Sequence, residues 1–373
     1  MKILVVSNNY PSLEHPGRGV FVYNLIQQFF KQGHEVTVIS PQNVLSSKQK
    51  RVETYGEEHC TVYRPKVFSA SNLQIGSFNT YRITELAQIN GIQRTVKKHN
   101  LEFDFVYAHF MMNGVIAVNA LKKYKKPIFV AIGESDLISL TKMYPKEYFK
   151  KSIGQIQGFI AVSNKLKGQL IDFGISQERI LMKPNAVDFA KFYQRDKAEM
   201  RKKYKLPMNR KLVAFVGRFM GHKGPLRVLE AVQNLDNVGS IFMGKGPQEP
   251  QGPSVVFNDS VPSYKIPELL SAADVFVLPT QREGSCNAIA EAIACGLPVV
   301  SSNIPEVMDQ CNPSFSILVD PLDVTAIESA IESILEDEVK RTEMSNNALE
   351  HAKNFEISER ASSILNFIKG KLG

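Results

Sequence analysis

An alternation that occurs twice restricts this chain more than any other feature. Short apolar runs end in polar turn residues, and each is followed by a stretch with apolar residues at helical spacing. Lys2-Ile-Leu-Val-Val-Ser7 is the first such run. A run with no polar face is the pattern of a strand buried on both sides of a parallel sheet. After a loop with Pro11, Pro16, Gly17 and Gly19, the spacing predicts a helix over Val20 to Lys31. Gly33 stands where that helix stops, and Glu35 to Ser40 reads as the next strand. Together these segments form a βαβ unit. The alternation continues at Phe105 to Ala108, Pro127 to Ile132 and Phe159 to Val162, so the first half is α/β with a mostly parallel sheet.

A second series starts at Lys211 to Val216 and repeats at Ser240 to Met243, Ser254 to Phe257, Val275 to Leu278 and Pro298 to Ser301. Between the two series, Lys191 to Lys211 is charged and has no strand pattern, which reads as a linker. With 373 residues the chain is long enough for two domains of similar size. The expected division is 1–190, 191–355 and an amphipathic C-terminal helix in 356–373 that packs back towards the first domain. Both domains are expected to be doubly wound and Rossmann-like, facing a cleft, with ligands beyond the carboxyl ends of the strands.

Hydrophobic residues make up 43% and charged residues 22% of the chain, which excludes a disordered polymer. Charge is split unevenly. Residues 1–190 carry 24 Lys and Arg against 14 Asp and Glu, whereas residues 191–373 carry 21 against 23. The basic half suits an anionic acceptor or an anionic surface, and Lys122-Lys-Tyr-Lys-Lys126 is a candidate contact. Nucleic acid is disfavoured, because the basic residues are not interleaved with aromatics. The apolar run at Ile3 to Val6 is too short for a secretory or membrane-spanning segment, so the expected location is cytoplasmic, with peripheral attachment to the inner membrane face an option. Cys60, Cys286, Cys295 and Cys311 form no CxxC pair and no zinc-ligand spacing.

The segment richest in chemistry runs from Leu278 to Val300. A buried strand ends at Pro279, a loop presents Glu283 and Gly284, and a helix begins near Ser285, Cys286 and Asn287, with Glu291 about one turn inside it. The amides of a helix start can seat an anion such as a diphosphate. Two carboxylates beside that anion would repel it, so they are expected to take sugar and ribose hydroxyls.

The spacing of Glu283, Gly284, Glu291 and Ala292, followed by Cys295-Gly-Leu-Pro-Val299, resembles the signature of the retaining GT-B glycosyltransferases of family 4, also called group 1. A second match is Phe215-Val-Gly-Arg-Phe-Met-Gly-His-Lys-Gly-Pro225. By that resemblance Arg218 and Lys223 hold the donor diphosphate, Glu283 positions the hexose, and Glu291 holds the ribose. Pro16-Gly-Arg-Gly-Val-Phe21 resembles the family's glycine-containing turn, which carries Gly19 over as a donor contact. Tyr107-Ala-His109-Phe resembles its strand-end histidine near the transferred sugar. The resemblance implies a retaining, metal-independent hexosyl transfer from a UDP- or GDP-sugar to a sugar or lipid-linked sugar, in cell-surface polysaccharide or glycoconjugate synthesis. Neither a cofactor nor a metal is expected, since no DxD pair has a metal-site context.

Three segments depart from the family pattern. Ile132, in Ala131-Ile-Gly-Glu-Ser-Asp136, stands at the place of a histidine, and Ala186 stands where glycine is usual. Gly244 to Ser254 leads almost directly into the next strand, so a helix near the base-recognition region is lost or shortened and the nucleotide base stays open. The rivals are a glycoside phosphorylase or nucleotide-sugar epimerase of the same fold, a nicotinamide oxidoreductase, and a catalytically inactive binding protein. Glycines placed about ten residues after the first strand disfavour the oxidoreductase.

Overall fold

The computed structural model describes the chain apart from residues 13–14, 16, 45–51, 55–59, 71, 76–77, 142 and 373. It divides into two units, Met1–Lys183 with Ser358–Gly373, and Pro184–Ile357.

The first unit carries an eight-stranded sheet. Its strands are β1 (Lys2–Val6), β2 (Glu35–Ile39), β3 (Val52–Thr54), β4 (Thr61–Tyr63), β5 (Phe105–His109), β6 (Ile128–Ile132), β7 (Gly158–Ala161) and β8 (Ile180–Met182). They lie in the order β8-β7-β6-β5-β1-β2-β4-β3. All neighbours are parallel except β3 and β4.

Both faces of this sheet are covered, which is why its strands read as unbroken apolar runs. Successive side chains of β1 alternate. Leu4 and Val6 pack with Val106, Ile116 and Val130, while Ile3 and Val5 pack with Phe29, Tyr107, Ile364 and Leu365. The helix Val20–Lys31 buries Val22, Leu25, Ile26 and Phe29, a stripe at helical spacing, and Gly33 follows it with φ 79°. The helix Ile357–Leu372 buries Ala361, Ile364, Leu365 and Ile368 in this same core. Each large aliphatic side chain buried there contributes about 1.5–3 kcal/mol, so the last segment of the chain is part of the first unit's interior.

The second unit has six parallel strands, β9 (Lys211–Val216), β10 (Val238–Met243), β11 (Val255–Asp259), β12 (Val275–Leu278), β13 (Val299–Ser302) and β14 (Ser316–Val319). Their order is β11-β10-β9-β12-β13-β14. From Gly244 to Ser254 the backbone contains no helix.

Two expectations are corrected. The boundary lies at 183/184 rather than 190/191, because Pro184 to Asp188 is fastened to the second unit. The Val187 amide donates to Phe355 O at 2.7 Å, and Ile357 N donates to Val187 O at 3.0 Å. Nor is 191–211 a free linker, since it contains the helix Lys197–Lys203, with Met200 and Leu206 buried. Buried Asp274 holds that segment down. It accepts from Lys197 Nζ at 2.6 Å, Arg201 Nη2 at 2.7 Å and the Leu212 amide at 2.8 Å. Burial alone would raise this carboxyl, but its partners hold it below the usual carboxylate range.

Among the described residues no helix is long and apolar enough to cross a membrane. All four cysteines are unpaired, three of them buried and Cys311 half-buried.

Candidate active site

In each unit the strand order reverses once, between β1 and β5 in the first and between β9 and β12 in the second. At such a point the loops leaving the two central strands diverge and open a crevice at their carboxyl ends. Of the site residues expected from the sequence, Gly19 and His109 fall at the first of these places, and Arg218, Lys223, Glu283, Ser285, Cys286, Asn287 and Glu291 at the second.

In the second unit, Gly217 and Arg218 follow β9, and the loop after β12 leads into the helix Asn287–Ala294. A backbone bond and a side-chain bond join the segments that follow β9 and β12. Gln281 N donates to His222 O at 2.8 Å, and Arg227 Nη2 donates to Pro279 O at 2.8 Å. The ends of β9 and β10 also press together, so that a Cβ on Gly244 would lie 1.9 Å from Gly217 O.

Lys223 Nζ donates to Glu283 Oε1 in a largely buried ion pair. The two side chains to which different parts of a donor were assigned therefore neutralise each other here. Arg218 is exposed. His222 is held below its ordinary value by burial and by the cations Arg282, Lys223 and Arg218, which identifies these basic groups as neighbours. The sequence reading missed His222 and Arg282, although both stand inside the quoted motifs.

At the helix start, the Asn185 amide donates to Ser285 Oγ at 3.2 Å, and Asn185 Nδ2 donates to Asn287 Oδ1 at 2.9 Å. Cys286 is buried, and its amide donates to Gln310 Oε1 at 2.6 Å while Gln310 Nε2 donates to Cys286 O at 3.3 Å. The Cys286 amide is thus occupied by Gln310 and is not among the helix-start amides open to an anion. Asn287 and Ala288, the first helical residues, have no carbonyl of their own helix to bond. Asn185 and Gln310 lie far away in sequence, and no local signal could have pointed to them. Glu291 is half-buried and its carboxyl is pushed up to about 8 by burial, so near neutral pH it is protonated and can both donate and accept.

The first unit's switch point is built differently. Gly19 begins the helix Val20–Lys31 with φ 69°, and a Cβ there would sit 2.2 Å from Asn9 O in the loop after β1. Only glycine fits both the angle and the approach. His109 ends β5 and is 1% exposed. Its ring lies 5.2 Å from Phe21 and 4.8 Å from Phe110 between centroids, and neither ring nitrogen has a hydrogen-bond partner among the described residues. Burial, and then the cation of Arg360, push its pKa down to about 3, so the imidazole is neutral.

The backbone beyond His109 turns through Phe110 with φ 74° and ψ 145°. For a bulky residue this region costs of order 1–3 kcal/mol, and it persists only where the surroundings enforce it. Among the described residues no group of three or more His, Cys, Asp or Glu side chains is arranged to hold a metal ion.

Two family models match this chain, one described as Glycosyltransferase Family 4 over residues 17–191 and the other as Glycosyl transferases group 1 over residues 196–351. Together they span both units and both switch points. The chain belongs to the group 1, family 4 glycosyltransferases. This glycosyltransferase is 27% identical over 385 residues to TuaC of Bacillus subtilis, a protein named for teichuronic acid biosynthesis, with 98% of this chain and 97% of TuaC covered. A GDP-mannose-dependent alpha-mannosyltransferase of Corynebacterium glutamicum is 23% identical over 370 residues, covering 95% of this chain and 85% of that one.

Among solved structures, sucrose-phosphate synthase from Thermosynechococcus elongatus superposes with a TM-score of 0.81 at 17% identity, covering 99% of both chains. HepE of Anabaena, solved with UDP, gives 0.75 at 17% identity over 99% of this chain and 100% of its own. The fold of this glycosyltransferase is accordingly GT-B, with two parallel-sheet α/β domains.

Proposed function

We propose that this glycosyltransferase moves a hexose from a UDP- or GDP-sugar to a sugar or lipid-linked sugar acceptor in cell-surface polysaccharide synthesis, with retention at the anomeric carbon and without a metal. The observation that carries this reading is the gathering of Arg218, His222, Lys223 and Arg282 at the β9/β12 switch point, beside the helix that starts at Asn287. A cluster of cations with helix amides suits a diphosphate. TuaC, matched over almost its whole length, supports a role in polysaccharide assembly. HepE, solved with UDP-glucose, supports a nucleotide-sugar donor.

On this reading the donor separates the Lys223–Glu283 pair. Lys223 turns to the β-phosphate and Glu283 to hexose hydroxyls, so neither charge is left without a partner. When the bond from the anomeric carbon to the β-phosphate oxygen breaks, negative charge grows on that phosphate. Arg218, Lys223 and the helix amides stabilise it more in the transition state than in the ground state. The acceptor oxygen bonds to the anomeric carbon on the face the diphosphate leaves, and its proton passes to the departing phosphate. Glu291 and Asn287 are assigned to the nucleoside side, Ser285 and Cys286 to the loop against the donor. Gly19 is assigned to the donor, and the neutral His109 to the face from which the acceptor attacks.

The test is a thermal-shift screen against UDP, GDP and their sugars, followed by transfer assays with and without EDTA and by NMR of the product's anomeric signal. A ligand that binds the folded state raises the melting temperature in step with its affinity. Rapid epimerisation or phosphate-dependent cleavage of donor alone would replace this reading with one of its rivals. The basic first half supports an anionic acceptor or surface. Lys122 to Lys126 stand at the amino end of β6, the sheet edge opposite His109, and flotation with liposomes containing or lacking anionic lipid tests that contact.

A further inference from the structure

We infer, building on the assignment of His109 to the reacting side of this glycosyltransferase, that Glu134 is a positioning residue whose carboxylate clamps the strained His109-Phe110-Met111 corner and so presents the imidazole unbonded to substrate. Hydrogen bonds fasten the backbone on both sides of the corner. Asn113 Nδ2 donates to His109 O at 2.5 Å, Phe110 N donates to Ala131 O at 2.8 Å, and Gly114 N donates to Phe110 O at 3.1 Å. Met111 N donates to Glu134 Oε1 at 2.5 Å, and Gly133 N donates to Glu134 Oε2 at 3.0 Å.

One carboxylate thus ties the residue after the β5 corner to the turn after β6. Two converging amides need two acceptors and no donor, which an ionised carboxylate supplies and a carboxamide does not. The turn also lies against the ring it supports, because a Cβ on Gly133 would be 3.3 Å from Phe110 Cε1 and 3.8 Å from His109 Nε2.

Burial pushes the Glu134 carboxyl up to about 7 despite its amide partners. Protonation turns one acceptor into a donor aimed at an amide, so the clamp is complete above neutral pH and weakens below it. Ionisable groups near it among the described residues include the neutral His109 of β5, with Arg360 beyond it, and Lys165 of the helix Asn164–Asp172, which donates to Ser135 O at 3.1 Å. Asp136 lies two residues further along the same turn. Burial would raise its carboxyl, but the Ser139 amide and Gln169 hold it below the usual range.

The test compares wild type with Glu134→Gln in three measurements: UDP and GDP binding, kcat and KM against pH, and the His109 ring signal in histidine-labelled protein, assigned with His109→Gln. The nucleotide affinities should be unchanged. We expect kcat to fall about tenfold with donor KM nearly constant, and the acid limb of kcat near pH 7 to disappear. The His109 signal should shift and begin to titrate towards the ordinary value of about 6.5 as the corner opens. In a Phe110→Gly background, where glycine adopts the turn without strain, Glu134→Gln should cost less melting temperature than it does alone. An unmoved His109 signal together with an intact acid limb would overturn the role. If wild type transfers sugar from no donor, the assigned activity fails, and the His109 signal by itself still decides the clamp.

Discussion

The two switch points stand in contrast. The one between β9 and β12 is charged, with Arg218 exposed, an ion pair between Lys223 and Glu283, and His222 among cations. The one between β1 and β5 is buried, with an imidazole that has no hydrogen-bond partner among the described residues and is kept neutral beside the Phe21 and Phe110 rings. A site for a polyanion must keep its charges mobile enough to trade a protein partner for a ligand. A neutral hydrogen-bonding group is most discriminating where water cannot compete for it. The same topology thus carries two kinds of site, which differ in the charge and the burial of the side chains at the strand ends.

Substitutions at each site can break that comparison. Lys223→Ala should have the largest effect, a loss of about 10²–10³ in kcat/KM with much of it in kcat, because the lysine meets charge that grows during the reaction. An unchanged kcat would reduce Lys223 to a structural partner of Glu283. His109→Ala should lower kcat by about tenfold to a hundredfold while leaving nucleotide affinity alone. If nucleotide affinity falls equally, the division between a charged donor side and a neutral reacting side is wrong.

Gly19→Ala should destabilise the first unit by about 1–3 kcal/mol, through its positive φ and the contact with Asn9 O, as measured by thermal unfolding. An unaffected melting temperature would mean that the loop after β1 yields freely. The smallest effect concerns Glu291, whose carboxyl has its pKa raised from 4.5 to about 8. Between those two values the unfolded chain ionises while the folded one keeps its proton, so stability falls as pH rises and the loss is complete above about 8. Glu291→Gln escapes that loss. Its melting temperature should match wild type near pH 5 and exceed it at pH 9 by roughly 2–4 °C for each kcal/mol relieved; an equal difference at both pH values would count against the protonated carboxyl.

Much of this was legible because it is local. Parallel strands covered on both faces leave unbroken apolar runs, so β1, β5, β6, β9 and β12 could be read to within a residue or two. The motif around Glu283 and Glu291 was equally plain, since a strand end, loop and helix start are contiguous in the chain. The segment 191–211 misled because most of its charges are exposed, and only Asp274, some seventy residues on, shows what Lys197 and the buried Arg201 hold.

Sequence alone determined the two α/β units and the positions of the carboxylates, cations and strand-end histidine. Spacing and residue type suffice for these, because each depends on backbone geometry within one βα turn. Only the tertiary structure decided which charges meet and which groups go without. Lys223 pairs with Glu283 across sixty residues, Gln310 occupies the Cys286 amide, and Glu134 closes the corner beyond a His109 whose ring has no hydrogen-bond partner among the described residues. Such pairings depend on which loops are brought side by side at the carboxyl edge of a sheet. That adjacency follows from strand order, which no local stretch of sequence encodes.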